Sequence, residues 1–260
     1  FNRLCEEYTG LKEREVIGQS VFTLFMSRRE AAASRRNIEV FFREGNSYEV
    51  ERWVKTCKGQ RLFLFRNKFV HNGSGKNEIF LICSGTDITE ERRAQERLRV
   101  LANTDSITGL PNRNAIHNLI SNAIENAGDT QVGIVYLDLD NFKKVNDDFG
   151  HLVGDQTLIR VADILRRKLG PEDVITRWGG EEFAVLIEGE TLKSVAETAQ
   201  KIREAVEEDM MLGEILGRPL TVSIGVGELT TLESQDGLIH KVDAALYEAK
   251  RAGKNRVVRS

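Results

Sequence analysis

The sequence predicts an α+β fold in which a small module is joined by a helix to a larger, ferredoxin-like module. Strand-like runs dominate the first hundred residues. The second half alternates strands and helices as β-α-β-β-α-β with extra pieces, which is typical of helices packed on a mixed sheet. At about 100–200 residues per domain, the 260 residues accommodate one large or two modest domains, and a hydrophobic content of 40% is ample for packed cores.

Alternation of apolar and polar residues predicts three strands in the first module. These strands are Tyr48–Cys57, Gln60–His71 and Glu78–Thr86. Turn-forming residues at 72–75 predict that the last two strands make a hairpin. Two upstream stretches, Glu13–Phe25 and Arg28–Glu44, are predicted to be short helices.

A helix is predicted from Thr89 to Ala102, directly after the last of these strands. Asp87 or Thr89 can cap its start, acidic residues occupy its first turn, and it contains neither Gly nor Pro. A narrow apolar stripe with a 4–3 spacing runs through Ala94, Leu98 and Leu101. Two interpretations stay open, because a helix of this length needs something to pack on. The stripe pairs with a second copy across a dimer, or it lies against its own domain.

The elements of the second module follow from apolar runs and from helical spacing, such as that of Leu158, Val161 and Leu165. Its single strands are predicted at Gln131–Leu139, Leu220–Leu229 and Arg256–Val258. A hairpin is predicted to join Val174–Trp178 to Glu181–Glu188 through a diglycine turn. Its helices are predicted at His151–Leu169, Ser194–Asp209 and Asp236–Ala252.

The net charge of −3 conceals an uneven distribution. Residues 1–104 carry 19 Lys and Arg against 14 Asp and Glu, a net +5, whereas residues 105–260 carry 18 against 26, a net −8. The acidic second half argues against a nucleic-acid-binding surface there, because phosphate backbones are bound by clustered basic residues. No apolar run approaches the ~18 residues of a membrane span, and no signal peptide is recognisable.

The cysteines are three in number and far apart, at Cys5, Cys57 and Cys83. They form neither a disulfide framework nor a Cys-x-x-Cys metal clip, which fits a reducing, cytoplasmic location. The first residue is Phe1 rather than Met, so we expect the chain to be part of a longer protein.

Two pairs of acidic residues are the strongest candidates for chemistry. Asp138 and Asp140 lie at the end of an apolar strand, where alternation directs both carboxylates to one face. Glu181 and Glu182 follow the diglycine turn. If the two strands are neighbours, the carboxylates converge and repel unless a cation such as Mg²⁺ lies among them, as in metal-assisted phosphoryl or nucleotidyl transfer. The alternative is a plain hairpin turn with solvated acids.

Several motifs in order resemble one family. Residues 178–183 read Trp-Gly-Gly-Glu-Glu-Phe, a GGEEF signature. Further matching runs are Asp105–Arg113, Asp138–Asp147, Ser223–Val226 and Asp243–Lys250. Residues 104–260 therefore resemble a complete GGDEF domain, the domain of diguanylate cyclases.

The resemblance implies a metal site and a catalytic base. Asp138, the Leu139 carbonyl and Glu181 would hold Mg²⁺ or Mn²⁺ on the phosphates of GTP. Glu181 would also take the proton from the 3′-hydroxyl group, with Glu182 supporting the site.

The resemblance also implies residues that bind the base and the phosphates. Asn146 and Asp155 would recognise guanine, since a carboxylate accepts from its N1–H and 2-amino groups. Lys143, Lys250 and Lys254 would neutralise the phosphates. Lys254 stands where the family often has Arg, so a bidentate contact becomes a single point charge.

One departure from the family pattern concerns feedback. Many members carry an Arg-x-x-Asp inhibitory site for the product, and the equivalent residues here run from Gly170 to Asp173. Asp173 is retained, but Gly170 stands in place of the guanidinium that would contact the product. We expect this inhibitory site to be absent.

The first module resembles a PAS domain. The matching residues are Asn2, Glu7–Gly10, Glu15–Gly18 and the Asp-Ile-Thr run within Gly85–Thr89. The resemblance implies a PAS-like sensor domain at 1–88 that is incomplete at its N-terminus, a signalling linker helix at 89–103 and the GGDEF domain at 104–260. No residue identifies a haem, flavin or other PAS ligand, and the module is also a candidate surface for a protein partner.

The implied reaction converts two GTP into cyclic di-GMP and two pyrophosphates. Because one GGDEF domain holds one GTP, two domains must meet across a two-fold axis, and the PAS domain would bias that arrangement. Two alternatives remain open: a non-catalytic GTP-binding module of a longer protein that could include an EAL phosphodiesterase domain, and a PAS-mediated interaction scaffold.

Overall fold

The structure, a computed structural model, describes residues 1–32, 34–36, 47–71, 79–126, 131–229 and 234–260. It divides into two compact units, Phe1–Arg97 and Leu98–Ser260. Both contain helices and strands, which confirms the α+β class. The predicted turn at 72–75 lies outside the described residues, as does the part of the predicted Arg28–Glu44 helix beyond residue 36.

The first unit contains an antiparallel sheet of three strands in the order β1-β2-β3. The strands are β1 (Tyr48–Thr56), β2 (Gly59–His71) and β3 (Ile79–Asp87), each within two residues of its predicted bounds. Pairing of Val70 with Phe80 confirms the β2–β3 hairpin. The helices that precede the sheet are α1 (Arg3–Thr9), α2 (Glu13–Val16) and α3 (Val21–Phe25), and residues 28–32 and 34–36 are also helical.

The predicted single helix Glu13–Phe25 is wrong, because the structure has two short helices there, α2 and α3. Gly18 lies between them with φ at +84°. A left-handed glycine ends a helix, since the chain can no longer continue the right-handed spiral.

Tyr8 of α1 connects the sheet to the next helix, α4 (Thr89–Asn103). Its ring contacts the Phe63 ring edge-on, with 5.1 Å between centroids, and its hydroxyl donates to Asp87 Oδ2 at 2.9 Å. The other oxygen of Asp87 accepts from the backbone N–H of Thr89 at 3.0 Å and from its hydroxyl at 2.6 Å. Asp87, one of the two capping residues that the sequence left open, therefore caps α4.

The second unit is built on a mixed sheet of five strands in the order β5-β6-β4-β7-β8. The strands are β4 (Val132–Leu139), β5 (Val174–Gly179), β6 (Glu182–Glu188), β7 (Val222–Glu228) and β8 (Val257–Arg259). All pairs are antiparallel except β7–β8, which is parallel. The predicted hairpin of β5 and β6 is confirmed.

The helices of this unit are α5 (Arg113–Asn126), α6 (Phe142–Phe149), α7 (His151–Lys168), α8 (Leu192–Glu207), α9 (Met210–Leu216) and α10 (Gln235–Arg251). Sequence periodicity did not predict α5, α6 or α9. The helix predicted to end at Asp209 ends at Glu207, because the Asp209 carboxylate accepts from Leu212 N–H and caps α9.

Two apolar cores lie on opposite faces of the sheet. Val135, Leu137 and Leu139 of β4 belong to the core that includes residues of α6, α7, α8 and α9. Ile134 and Tyr136 belong to the other core, which includes residues of α5 and α10. Every residue of β4 is buried, as expected for a central strand covered on both faces.

Helix α10 lies directly against β7 at Gly225. A Cβ atom at this position would come within 2.4 Å of the Val242 carbonyl oxygen and 2.6 Å of the Leu246 nitrogen, both backbone atoms of α10. A side chain of any size would therefore push the helix away from the sheet.

Gly225→Ala is expected to lower the free energy of unfolding of this unit by about 1–3 kcal/mol, because an overpacked core must shift backbone. Urea unfolding, followed by Trp178 fluorescence in a Trp53→Phe background, measures it. Gly213→Ala in α9 is the matched control, because nothing lies within 4 Å of its Cβ position, and we expect a gain of up to about 1 kcal/mol. Equal effects at the two glycines would contradict the close approach of α10.

Candidate active site

The pairing of β4 with β6 brings the two acidic pairs together. Asp138 is the register partner of Glu182, and the backbone N–H of Leu139 donates to the Glu181 carbonyl oxygen at 3.2 Å. Gly180 makes the turn before Glu181 with φ at +52°, a conformation that favours glycine. The two strands are therefore neighbours, as the metal-site hypothesis required.

Burial and mutual repulsion act on the carboxyl groups at this edge. Burial raises the pKa of Asp138, and the hydrogen-bonded Lys250, whose Nζ lies 2.8 Å from Asp138 Oδ2, only partly offsets it. Burial and then the Asp138 charge raise the pKa of Glu181. The pKa of Glu182 is also raised, again mainly by burial. The site thus holds more negative charge than the protein alone neutralises, which a cation would relieve.

Asp140 is bound differently from Asp138, although the sequence treats them as a pair. Its Oδ2 accepts from the Thr221 hydroxyl at 2.8 Å and from the Asn255 backbone N–H at 3.1 Å, and its Oδ1 accepts from the Ser223 hydroxyl at 2.7 Å. With three donors on two oxygens, Asp140 joins the end of β4 to β7 and to the turn before β8. The interpretation that both aspartates supply a cation site is therefore corrected for Asp140.

Tyr136 is a site residue that the sequence analysis missed. It is buried in β4 and its hydroxyl is hydrogen-bonded to Glu182, so burial and the neighbouring Glu182 charge raise the pKa of Tyr136 well above its usual range. Its ring contacts Trp178 with 5.4 Å between centroids, and Arg113 lies 4.9 Å above the Trp178 ring. The sequence signal was a hydroxyl-bearing residue two positions before Asp138, on the same face of the strand.

Arg177 was also missed, and it holds the diglycine turn. Its Nη1 lies 3.0 Å from both carboxylate oxygens of Asp105, while its Nε and Nη2 donate to the Gly180 carbonyl oxygen at 3.1 and 2.6 Å. Its backbone N–H donates to the Pro111 carbonyl oxygen at 2.9 Å. The Asp105–Arg113 run is therefore tied to the turn that carries Glu181.

The two residues expected to recognise guanine lie where α6 faces α7. A Cβ atom at Gly154 would come within 2.0 Å of the Asn146 side-chain oxygen, so Gly154 leaves room for the amide. Asp155 follows Gly154 in α7, and both Asn146 and Asp155 are half-buried. The Asn146 amide and the Asp155 carboxylate therefore lie on the neighbouring helices α6 and α7.

The three lysines expected at the phosphates differ in their contacts. Lys250 is paired with Asp138, as described above. The Nζ of Lys254 donates to the side-chain oxygen of Asn141 at 2.6 Å. Lys143 is exposed in the first turn of α6.

Asp173, the aspartate retained at the position of the inhibitory motif, forms a hydrogen bond within its own loop. Asp173 Oδ2 accepts from the Gly170 backbone N–H at 2.8 Å. Residues 170–173 therefore form a closed turn, with a glycine where the family motif has arginine.

These features coincide with a recognised family. Residues 102–256 match the family described as diguanylate cyclase, GGDEF domain. The chain belongs to this family. Residues 1–90 match the PAS domain family, so both resemblances found in the sequence are confirmed.

Curated relatives match the chain over parts of their length. Cyclic di-GMP phosphodiesterase PdeR of Escherichia coli (strain K12) is 59% identical over 258 residues, which are 98% of this chain and 39% of PdeR. Diguanylate cyclase DgcM of the same organism is 36% identical over 197 residues, 74% of this chain and 47% of DgcM. The chain thus spans less than half the length of these two relatives.

A solved structure has the same fold over the GGDEF unit. The coiled coil and GGDEF domain of DgcB from Caulobacter crescentus, in complex with c-di-GMP, matches with a TM-score of 0.62 and 35% identity. The match covers 66% of this chain and 93% of that one. In the described part of the chain, no helix is long and apolar enough to cross a membrane.

Asp105→Asn is expected to lower the free energy of unfolding by about 2 kcal/mol at neutral pH, because the amide lacks the charge that pairs with Arg177. Burial alone would raise the pKa of Asp105, but hydrogen bonds from Thr108 and Arg177 outweigh burial and lower it. A lowered pKa means that the stabilisation is complete above the unfolded value of about 3.9 and is lost as the pH falls through the folded value.

Urea titrations of both proteins between neutral and acid pH test this dependence. The difference between wild type and variant is expected to shrink below about pH 4. Asp163→Asn, which breaks a half-exposed pair with Arg166, is the control, and we expect a change of less than about 0.5 kcal/mol. A loss at Asp105 that stays constant at low pH would contradict the ionic contribution.

Proposed function

We propose that the chain is a diguanylate cyclase module that condenses two GTP into cyclic di-GMP with release of two pyrophosphates. The observation that carries the proposal is the GGEEF hairpin, which presents Glu181 beside the buried Asp138 in a domain of this family. The solved structure of DgcB, which contains c-di-GMP, supports the nucleotide class. The proposed GTP substrate and the three free cysteines both fit a cytoplasmic location.

The donor set at this edge fits Mg²⁺ or Mn²⁺. Asp138, Glu181 and the Leu139 carbonyl would supply three hard oxygen ligands, and substrate phosphates would supply more, as is usual for Mg²⁺. Among the described residues no cluster of three His, Cys, Asp or Glu side chains could hold a metal. When bound, the metal would neutralise phosphate charge and polarise the phosphoryl group.

The protein residues would bind the substrate and move one proton per bond formed. Glu181 would accept the proton of the 3′-hydroxyl as a general base. The 3′-oxygen would then attack the α-phosphorus of the other GTP, and the bond to the β-phosphate would break to release pyrophosphate. Glu182, held by Tyr136, would support the hairpin.

Recognition of GTP would be divided between two sets of side chains. Asn146 and Asp155 would bind the guanine edge, while Lys143, Lys250 and Lys254 would neutralise the phosphates. Lys250 would exchange its contact with Asp138 for a phosphate oxygen as positive charge enters the site.

A homodimer would complete the reaction, since each domain holds one GTP and the product is two-fold symmetric. Leu98 and Leu101 of α4 are 66% and 75% exposed, which supports pairing of this helix with a second copy. The PAS domain would then regulate the enzyme by shifting the equilibrium between dimer arrangements.

A second candidate function is a non-catalytic GTP-binding module that regulates a longer protein. The observation that favours it is the match to PdeR, a protein named as a phosphodiesterase, of which this chain covers 39%. An EAL phosphodiesterase domain would then lie in the rest of such a protein. The PAS scaffold remains a third hypothesis, in which the first unit binds another protein.

Glu181→Gln is expected to reduce cyclic di-GMP formation from GTP and Mg²⁺ at least ~100-fold, because the amide can neither accept the proton nor bind the metal as a carboxylate. Product is measured by chromatography, and the wild-type specific rate is expected to rise with protein concentration as dimers form. Glu188→Gln, at the exposed far end of β6, the strand that follows Glu181, is the matched control and should retain wild-type activity.

Three outcomes separate the hypotheses. Product lost only in Glu181→Gln supports catalysis. GTP binding by the wild type without product formation supports the regulatory module. If the wild type neither binds GTP nor forms product, the PAS scaffold is the hypothesis that remains. A specific rate that is independent of concentration in a monomeric protein would contradict the half-site mechanism.

Product feedback through residues 170–173 is expected to be absent, because Gly170 offers no guanidinium and Asp173 is bound to its own loop. Titration of cyclic di-GMP into the cyclase assay should show no sub-micromolar inhibition, and Asp173→Ala should respond as the wild type does. Tight inhibition that disappears in Asp173→Ala would overturn this expectation.

A further inference from the structure

Left-handed backbone at residues other than glycine is concentrated at one corner of the GGDEF unit, among the residues that the structure describes. Among the described residues, three that are not glycine have positive φ: Asn141 at 59°, Lys254 at 63° and Asn255 at 47°. They are adjacent in space, since Lys254 and Asn255 are consecutive and Lys254 Nζ donates to Asn141 Oδ1 at 2.6 Å. Such conformations cost about 1–3 kcal/mol each and persist only where the surroundings enforce them.

The backbone of this corner is held from the sheet. The Asn255 N–H donates to Asp140 Oδ2 at 3.1 Å, and Asp140 is itself buried and bound by Thr221 and Ser223. The Lys254 N–H donates to the Ala249 carbonyl oxygen of α10 at 3.1 Å. The turn is therefore attached to β4, β7 and the end of α10.

The side chain of Asn255 is held from α8. Its Nδ2 donates to Glu207 Oε1 at 2.8 Å, and its Oδ1 accepts from Arg203 Nη1 at 2.8 Å. Arg203 also pairs with Glu207, and hydrogen bonds from Arg203 and then Asn255 lower the pKa of Glu207, so it is ionised at neutral pH. The amide of Asn255 thus donates to one partner and accepts from the other, which a carboxylate or an apolar side chain could not do.

We propose that Asn255 is a positioning residue for the nucleotide phosphates, acting through Lys254. With the turn fixed by Glu207 and Arg203, the Lys254 ammonium is directed to Asn141, the residue directly before α6. In the proposed function Lys254 contacts a phosphate of GTP, so this hydrogen bond would hold the ammonium in place before the phosphate arrives. This inference rests on the proposed function, because Lys254 is a phosphate ligand only in that proposal.

Fixing the turn has a thermodynamic consequence. A lysine side chain has many rotamers, and ordering it on binding costs entropy. Because Asn255 restricts the backbone of Lys254 and Asn141 accepts from its ammonium, part of that ordering is complete before GTP arrives. The end of α8, about fifty residues earlier in the chain, thereby contributes to GTP affinity without touching GTP.

A double-mutant cycle on the full chain tests the inference. Binding of a non-hydrolysable GTP analogue with Mg²⁺ is measured by calorimetry for wild type, Asn255→Ala, Lys254→Ala and the double variant. We expect each single variant to weaken binding roughly tenfold. The double variant should bind no more weakly than Lys254→Ala, because Asn255 acts only through Lys254. Additive losses, or unchanged binding in Asn255→Ala, would overturn the inference.

A matched pair on α8 keeps the test valid if Asn255→Ala does not fold. Glu207 and Glu204 both lie beside Arg203. Glu207 also contacts Asn255, whereas Glu204 is paired with Arg203 at 3.6 Å. Glu207→Ala is expected to weaken binding severalfold and Glu204→Ala to leave it unchanged. Equal effects of the two would count against the proposal.

The same measurements separate this inference from the cyclase proposal. A non-additive cycle in a protein that forms no cyclic di-GMP would uphold the positioning role and remove the catalytic claim. Absence of nucleotide binding by the wild type would overturn both.

Discussion

The register between β4 and β6 is the constraint on which the site depends. Because β4 is buried on both faces, a slip of one residue would move Val135 and Leu137 into the opposite core and reverse every side chain of the strand. The two cores therefore fix the register. The same register sets Asp138 opposite Glu182 at the end of the strand. Packing of apolar residues far from the site thus determines which carboxylates meet there.

Bringing these carboxylates together costs the folded chain free energy, and the surrounding contacts offset that cost. The pKa values of Asp138, Glu181 and Glu182 are all raised, with burial as the first cause, so ionising them in the fold costs free energy. Lys250 compensates Asp138 directly. Arg177 does not pair with any of these three carboxylates. It donates to the Gly180 carbonyl oxygen and so holds the backbone that carries Glu181. Local destabilisation at a functional site is tolerated where a rigid frame supports it.

Elements with sustained patterns could be predicted from the sequence, whereas contacts between distant residues could not. The strands and the helices α4, α7, α8 and α10 followed from alternation and helical spacing, whereas the fourteen-residue helix α5 did not. The positions of the acidic residues and the motif resemblance together singled out Asp138 and Glu181, and the resemblance singled out Lys254. Helix α6 was missed because it has eight residues and follows a left-handed Asn141, whose side chain makes no capping hydrogen bond. Arg177 was missed because its partner Asp105 is 72 residues away, and no local pattern reports such a pair.

The two aspartates of the Asp138-Leu139-Asp140 run show how the fold assigns different roles to the same side chain. Both carboxylate oxygens of Asp140 accept from neutral donors, namely the Thr221 and Ser223 hydroxyl groups and the Asn255 backbone N–H, so the protein itself solvates the charge. Asp138 is paired with Lys250, and burial disfavours its charge. A ligand cation can replace a lysine more readily than it can displace three fixed donors. Whether an aspartate is available to a cation therefore depends on how many hydrogen-bond donors the fold already places on its carboxylate. The spacing of acidic residues in the sequence does not reveal those donors.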